Sequence, residues 1–225
     1  MEDYSLGLAL FDYIPVLLSA LGLTLLAGLL GRTLPASRPL LFLAVALVIA
    51  GGLSKASWKL LWVLSGTNIM LLSNLLFILM APGMILLACH VYAAGRCWRG
   101  LEQGAPARTG VVLSITILGL AAFAAIGQSG SKVWFFLLLG AASLANITMS
   151  ALLIRQSWRL QERGTALIFL FSIAVILSLS GLSRISEGSA PLQWLAECLN
   201  TLAHGSFALA VWRLRAVIPS AQASV

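Results

Sequence analysis

Charged side chains are scarce in this sequence: only 9% of its 225 residues are Asp, Glu, Lys or Arg, whereas 60% are hydrophobic. A soluble domain usually carries about a quarter charged residues, because its surface faces water. This composition excludes an ordinary soluble domain and predicts a surface that faces lipid. The net charge of +7 is then explained by arginines that face lipid headgroups, and no nucleic-acid partner is expected.

Sequence motifs that mark enzymes or metal sites are also missing. The three cysteines, Cys89, Cys97 and Cys198, offer no disulfide framework, and no close cluster of Cys, His and acidic residues suits zinc. No phosphate-binding loop, dinucleotide fingerprint or nucleophile elbow is present. The first apolar run lacks a preceding basic region, so we interpret it as a retained helix and not as a cleaved signal peptide. Whether the chain is an enzyme stays open, with a non-enzyme favoured.

The last apolar run contains no lysine, which argues against a retinal protein, because a retinal Schiff base needs a lysine at mid-membrane in the last helix. The three lysines, Lys55, Lys59 and Lys132, all lie near predicted helix ends. Two histidines at similar depths, His90 and His204, could supply both axial ligands of a haem. No other sequence feature supports haem, so we predict no cofactor and keep haem as the weaker alternative.

Seven apolar runs are each long enough for a helix that crosses the hydrocarbon, which takes roughly 20 residues. Their approximate bounds are 6–31, 38–64, 69–95, 109–128, 133–155, 165–183 and 189–212. The connections between them are short and leave no room for a soluble domain. The sequence therefore predicts an all-α integral membrane protein, with 1–225 forming one bundle of seven transmembrane helices.

Basic residues alternate between the two sides of the predicted bundle. Ten fall after odd-numbered helices, and four fall on the other side. The ten are Arg32, Arg38, Arg96, Arg99, Arg108, Arg155, Arg159, Arg163, Arg213 and Arg215. Because positive loops stay in the cytoplasm, we predict an outside N-terminus and a cytoplasmic C-terminus. The expected location is the plasma membrane, or the inner membrane of a bacterium.

Short signatures recur along the chain and suggest an internal repeat. Glycine, serine and a basic residue stand at the outer ends of helices two, four and six, within 52–55, 130–132 and 181–184. Trp-Arg closes helices three, five and seven, at 98–99, 158–159 and 212–213. Two groupings fit this pattern. One is a set of helical hairpins (2-3, 4-5 and 6-7) after a lone first helix, and the other is a 3+1+3 arrangement.

Costly polar side chains concentrate in the predicted outer half of the membrane. Ionisable and amide groups at that depth usually face the bundle interior or a cavity. On the last helix, steps of three and four residues place Glu197, Asn200 and His204 along one face. The candidate ligand-binding residues are Asp12, Lys55, Trp58, Lys59, Trp62, Asn74, Asn146, Arg184, Glu197, Asn200 and His204.

These residues favour an outward-facing polar cavity that binds a small or lipid-like, anionic or zwitterionic ligand for transport or sensing. Lysines and Arg184 would attract anionic groups, Asp12 and Glu197 would balance charge or couple protons, and the tryptophans would hold apolar parts. One alternative is an accessory or scaffolding subunit of a larger membrane complex. Another is an intramembrane lipid-modifying hydrolase or transferase. Membrane lipids, another membrane protein or a second copy are the expected partners.

Overall fold

A computed structural model describes residues 5–102, 104–127, 131–182 and 190–218, with the side chains of 180–182 left aside. Within these ranges all regular secondary structure is helical, and no strand occurs. The helices are α1 (Leu6–Phe11), α2 (Tyr13–Thr33), a 3-10 turn (Pro35–Ser37), α3 (Arg38–Ser65), α4 (Met70–Cys97), α5 (Pro106–Gly127), α6 (Val133–Arg159), α7 (Arg163–Leu182) and α8 (Ala190–Val217).

Five stretches in the described ranges are long and apolar enough to cross a membrane. They are Leu6–Thr33, which contains α1 and α2, then Pro35–Ser65, Met70–Cys97, Pro106–Gly127 and Val133–Arg159. The apolar part of α7 is shorter, and α8 has 28 residues but is the least apolar of the long helices. The chain is thus a helical membrane protein, as its composition predicts.

The first predicted helix is broken at Asp12, a feature that its apolar run did not reveal. Pro15 has no amide hydrogen and its ring crowds the carbonyl of Phe11, four residues earlier, where α1 ends. Asp12 lies between α1 and α2, and its amide donates to the carbonyl of Leu8 at 3.1 Å. The break places an acidic side chain at a helix junction.

Six of the long helices form a closed series of packed neighbours. In order these are α2, α3, α4, α6, α7 and α8, and α8 packs back against α2. Helix α5 packs only against α4 and α6 among the close helix pairs. Only 17% of its apolar stretch is buried, against 33–44% in the other four candidate spans. Helix α5 therefore lies beside the series and not within it.

Helices α3 and α4 approach each other most closely where α3 carries Gly51 and α4 carries Gly83. A Cβ atom at Gly51 would lie 2.7 Å from the carbonyl oxygen of Leu76, and one at Gly83 would lie 2.7 Å from that of Ala44. Gly66 ends α3 with φ of 65°, which glycine adopts without strain. The α3–α4 pair is consequently a tightly packed wall.

The largest apolar core lies toward the arginine-rich end of the bundle, which is the end where α2 stops and α3 starts. Fully buried leucines from five helices meet there: Leu30, Leu41, Leu87, Leu153 and Leu214. Because lipid tails are as apolar as leucine, these side chains stabilise the bundle by close van der Waals packing between helices. This half of the bundle holds the helices together, and the opposite half carries the polar groups described next.

Candidate functional site

Three ionisable side chains from distant parts of the chain form an ion triad. The Lys59 ammonium contacts a carboxylate oxygen of Asp12, and its Nζ lies 3.0 Å from Oε1 of Glu197. The side chains are 13%, 7% and 16% exposed for Lys59, Asp12 and Glu197, respectively. Two carboxylates therefore share one ammonium in a nearly buried site, which we call the ion triad.

The helix register places the three residues at the same depth. Each stands six or seven residues from a helix end, at Leu6, Ser65 or Ala190, which is roughly 10 Å along a helix. These ends lie on the side of the bundle opposite to the arginine-rich end. An edge-to-face contact between Phe11 and Trp194, with ring centres 5.5 Å apart, packs α1 against the start of α8 above the triad. The triad thus joins α1–α2, α3 and α8.

A cavity of about 230 Å³ extends from the ion triad toward the middle of the bundle. It is lined mainly by α2, α3 and α8, and α4 contributes two apolar side chains. The lining residues are Asp12, Pro15, Val16, Ser19, Val48, Ile49, Gly52, Lys55, Ala56, Lys59, Leu76, Met80, Glu197, Asn200 and His204. The cavity is smaller than the roughly 300–1,000 Å³ of sites for drug-sized ligands.

Six predicted site residues line this one cavity, which we call the polar cavity. They are Asp12, Lys55, Lys59, Glu197, Asn200 and His204. The second carboxylate oxygen of Asp12 is buried and accepts no hydrogen bond from any residue that the structure describes. A buried acceptor normally has a partner, so this oxygen is a position at which a donor group would be stabilised.

Lys55 and Lys59 lie one turn apart but have different surroundings. Lys59 joins the ion triad, whereas Lys55 donates to the hydroxyl of Ser73 at 2.9 Å and lies 4.0 Å from the ring centre of Trp58. A cation over a tryptophan face is stabilised by the ring quadrupole. Lys55 therefore forms the α4 side of the cavity mouth, and Lys59 forms the α8 side.

The remaining predicted residues do not line the polar cavity. Trp58 donates to the side-chain oxygen of Asn68 at 3.0 Å, and Trp62 packs beside Trp58 with ring centres 6.3 Å apart. Asn74 and Asn146 are half-buried elsewhere on α4 and α6. Arg184 lies outside the described residues. The tryptophans thus support the α3–α4 turn and Lys55 in this structure.

Several polar groups near the triad were not predicted. Ser19 lines the cavity seven residues after Asp12, a spacing that keeps both on one helical face and could have identified it. The hydroxyl of Tyr13 lies 3.1 Å from that of Ser57 and joins α2 to α3. No sequence signal pairs Tyr13 with Ser57, because the pairing depends on how two helices pack.

The two histidines lie in different surroundings. His90 is fully buried, and its Nδ1 lies 2.7 Å from the carbonyl oxygen of Leu86. His204 lines the polar cavity on α8, which is not among the close neighbours of α4. In the described ranges, no group of three or more His, Cys, Asp or Glu side chains could hold a metal ion.

Comparison of the chain with protein-family models, with curated proteins and with solved structures finds no match.

Proposed function

We propose that the chain crosses the membrane seven times with its arginine-rich end in the cytoplasm. The packing of α7 and α8 into the closed series supports two further spans beyond the five apolar ones. Helix α8 is less apolar because it carries Glu197, Asn200 and His204, which face a cavity instead of lipid. The ten arginines at one end support the orientation.

Helix packing favours the 3+1+3 grouping of the internal repeat over the three hairpins. In the first triplet α2 packs on α3 and α3 packs on α4, and in the second α6 packs on α7 and α7 on α8. The contact of α4 with α6 corresponds to that of α8 with α2, and α5 is the single helix between the triplets. We propose that the polar cavity arose where the two triplets of the repeat meet, at the contact between α2 and α8.

The proposed activity is transport of a small zwitterion, coupled to a proton, through the outward-facing polar cavity. The ion triad carries this proposal, because two carboxylates against one ammonium leave one negative charge in excess when both are ionised. An uncompensated buried charge is costly. The cationic group of a ligand, bound near the buried oxygen of Asp12, would neutralise it.

The opposite side of the cavity suits the anionic group of the same ligand. Lys55 supplies a positive charge there, and Asn200 and His204 supply hydrogen-bonding groups deeper in the cavity. A volume of about 230 Å³ accommodates a small zwitterion or a lipid headgroup, and not a whole lipid. Since a proton on either acid also neutralises the triad, proton and ligand cation compete for the same negative charge. This competition is the basis of the proposed coupling.

Purified protein in lipid nanodiscs tests the proposal with three probes: alanine, glycine betaine and phosphocholine. Binding raises the unfolding temperature by mass action, and a bound zwitterion should then be taken up or released by vesicles under a pH gradient. Glu197→Gln removes the excess charge but leaves Lys59 paired with Asp12, so we expect about tenfold weaker binding and loss of its pH dependence.

The matched control is Glu102→Gln, in the exposed connection between α4 and α5, which should bind as wild type does. Equal binding by the two variants would remove Glu197 from the site. The absence of stabilisation by every probe would contradict a zwitterion site altogether.

A hydrolase is the second candidate, because Ser19 lines the same cavity as His204 and Glu197. A serine nucleophile activated by histidine is the usual arrangement for acyl transfer. Labelling by a lipid-like fluorophosphonate that is abolished in Ser19→Ala, but not in Ser206→Ala, would favour this activity over transport. Ser206 is absent from the cavity lining and is half-buried on α8.

A further inference from the structure

A second and larger concavity, of about 700 Å³, lies between α4, α5 and α6. We call it the apolar groove. Its walls are mostly small or aliphatic, and its polar members are few. The lining residues are Ile85, Ala88, Cys89, Tyr92, Ala93, Arg96, Gly104, Ala105, Pro106, Thr109, Leu113, Thr116, Ile117, Ala141, Leu144, Ala145 and Thr148. None of them lines the polar cavity.

The groove has the length of one leaflet of a bilayer. Along α4 it extends from Arg96 back to Ile85, eleven residues that span roughly 16 Å. Half of a typical hydrocarbon core is about 15 Å. The lining residues run from the arginine-rich end, where α4 stops and α5 starts, to near the middle of the bundle. The depth of the groove therefore matches a single acyl chain that enters from one headgroup layer.

The groove wall is mainly apolar, and one of its hydroxyl groups is satisfied within its own helix. The hydroxyl of Thr116 donates to the carbonyl of Val112, in its own helix, at 2.9 Å. This bond satisfies the hydroxyl within the helix. Alanines at positions 88, 93, 141 and 145 leave space between the helices that larger side chains would fill. Dispersion contacts along such a channel suit a flexible hydrocarbon.

A positive charge stands at the mouth of the groove. Arg96 is half-buried, and its Nε donates to the backbone carbonyl of Glu102 at 2.8 Å, which holds the guanidinium at the open end. A guanidinium has five N–H donors, so further donors remain for a phosphate. Arg99 and Arg108 belong to the same end of the bundle and add to its positive field.

We propose that the apolar groove binds one anionic phospholipid, with its phosphate on Arg96 and one acyl chain between α4, α5 and α6. Length, wall chemistry and charge all match this occupant. A peptide helix would need a wider space. A lipid without a phosphate would leave the charge of Arg96 unused, and a zwitterionic headgroup would bring a second positive charge close to the arginines at this end. The site is independent of the polar cavity and of the function proposed for it.

Native mass spectrometry tests the proposal on the full chain released from nanodiscs that contain phosphatidylglycerol and phosphatidylcholine. We expect one retained phosphatidylglycerol per chain. Arg96→Gln should reduce the preference for phosphatidylglycerol about tenfold, as the loss of one charge-assisted contact predicts. The matched control is Arg99→Gln, because Arg99 is exposed, donates to the carbonyl of Gly95 and does not line the groove.

Two further measurements locate the lipid. Thr116→Trp should fill the groove and abolish retention, whereas Ile115→Trp, at an exposed neighbouring position outside the groove, should not. In wild-type protein, phosphatidylglycerol should slow maleimide labelling of Cys89, which lines the groove, and leave exposed Cys198 unchanged. This readout needs no variant and so does not depend on the folding of one.

Three results would overturn the proposal. Equal loss of preference in Arg96→Gln and Arg99→Gln would assign the effect to diffuse surface charge. Equal retention by the two tryptophan variants would place the lipid elsewhere. Protection of Cys89 in lipid-free dimers would identify a second copy of the chain as the occupant.

Discussion

The polar cavity and the apolar groove lie in opposite halves of the bundle and differ in almost every physical property. The polar cavity has a volume of about 230 Å³ and an ion triad at one end. The apolar groove has a volume of about 700 Å³ and one charged side chain, Arg96, in its lining. The walls differ as well. Helices of the closed series line the cavity, and the peripheral helix α5, which has only α4 and α6 as close neighbours, forms one side of the groove.

The two regions would therefore select their occupants by different physical properties. At the ligand site proposed in the polar cavity, the cost of buried charge would set which ligand or proton state is tolerated, so selection there would be by charge. In the apolar groove, space and length set what fits, so many hydrocarbon chains are acceptable and a single arginine selects the headgroup. Variants that affect one region and spare the other test whether the two regions differ in this way.

The largest effect is expected from Lys59→Met. The substitution removes the ammonium and leaves Asp12 and Glu197 as two nearly buried carboxylates, which should destabilise the protein by about 3–5 kcal/mol. Chemical unfolding in micelles measures the free energy. Lys132→Met is the control, because Lys132 precedes α6 and lies outside the polar cavity.

A triple variant separates charge from packing at this site. Lys59→Met combined with Asp12→Asn and Glu197→Gln removes all three charges, so most of the lost stability should return. A triple variant as unstable as Lys59→Met would mean that the triad acts by shape and not by charge.

A smaller effect is expected from Gly83→Ala, at the contact between α3 and α4. The added methyl group would lie 2.7 Å from the carbonyl oxygen of Ala44 and 2.7 Å from Cγ2 of Val48, so α3 and α4 must separate. Overpacking of this kind costs about 1–3 kcal/mol. Thermal unfolding in nanodiscs measures the loss.

Gly119→Ala provides the contrast on α5, where an added Cβ meets no atom within 4 Å. We expect it to be neutral or to stabilise by up to about 1 kcal/mol, since alanine favours helix over glycine. Equal destabilisation by Gly83→Ala and Gly119→Ala would show that the two walls do not differ in packing.

The smallest effect is expected from Trp58→Leu. This change removes the ring under Lys55 and the hydrogen bond to Asn68. A cation–π contact at a partly exposed position contributes about 0.5–1 kcal/mol. Unfolding should therefore shift slightly, and zwitterion binding should stay within about twofold of wild type, because Trp58 does not line the cavity. Loss of zwitterion binding in Trp58→Leu, measured by calorimetry, would show that Trp58 belongs to the ligand site after all.

Helical periodicity predicted much of the lining of the polar cavity but not which charged side chains contact one another. Spacing on one helix placed Glu197, Asn200 and His204 on a common face, and all three line the cavity. Periodicity does not say which helix lies opposite, so the contacts of Lys59 with Asp12 and Glu197 were not predicted. Asn74 and Asn146 are asparagines like Asn200, but the packing of α4 and α6 places them outside the lining of the polar cavity.

The apolar groove had no sequence signal at all. Each of its lining alanines, threonines and leucines is ordinary for a membrane helix, and the space arises only because α5 packs beside the closed series. The break at Asp12 could have been predicted, because Pro15 follows it by three residues. The apolar run 6–31 masked it, since hydropathy does not register a missing amide hydrogen.

The ion triad also has a consequence for how the chain is made. Its members are separated by 47 and 138 residues in sequence, so the ribosome finishes Asp12 and Lys59 long before Glu197. Helix α3 must enter the bilayer while Lys59 has at most one acidic partner. The excess negative charge arrives only with α8. Addition of α8 therefore completes the polar cavity, whereas a nascent chain that stalls before it holds Asp12 and Lys59 as a neutral pair without the excess negative charge.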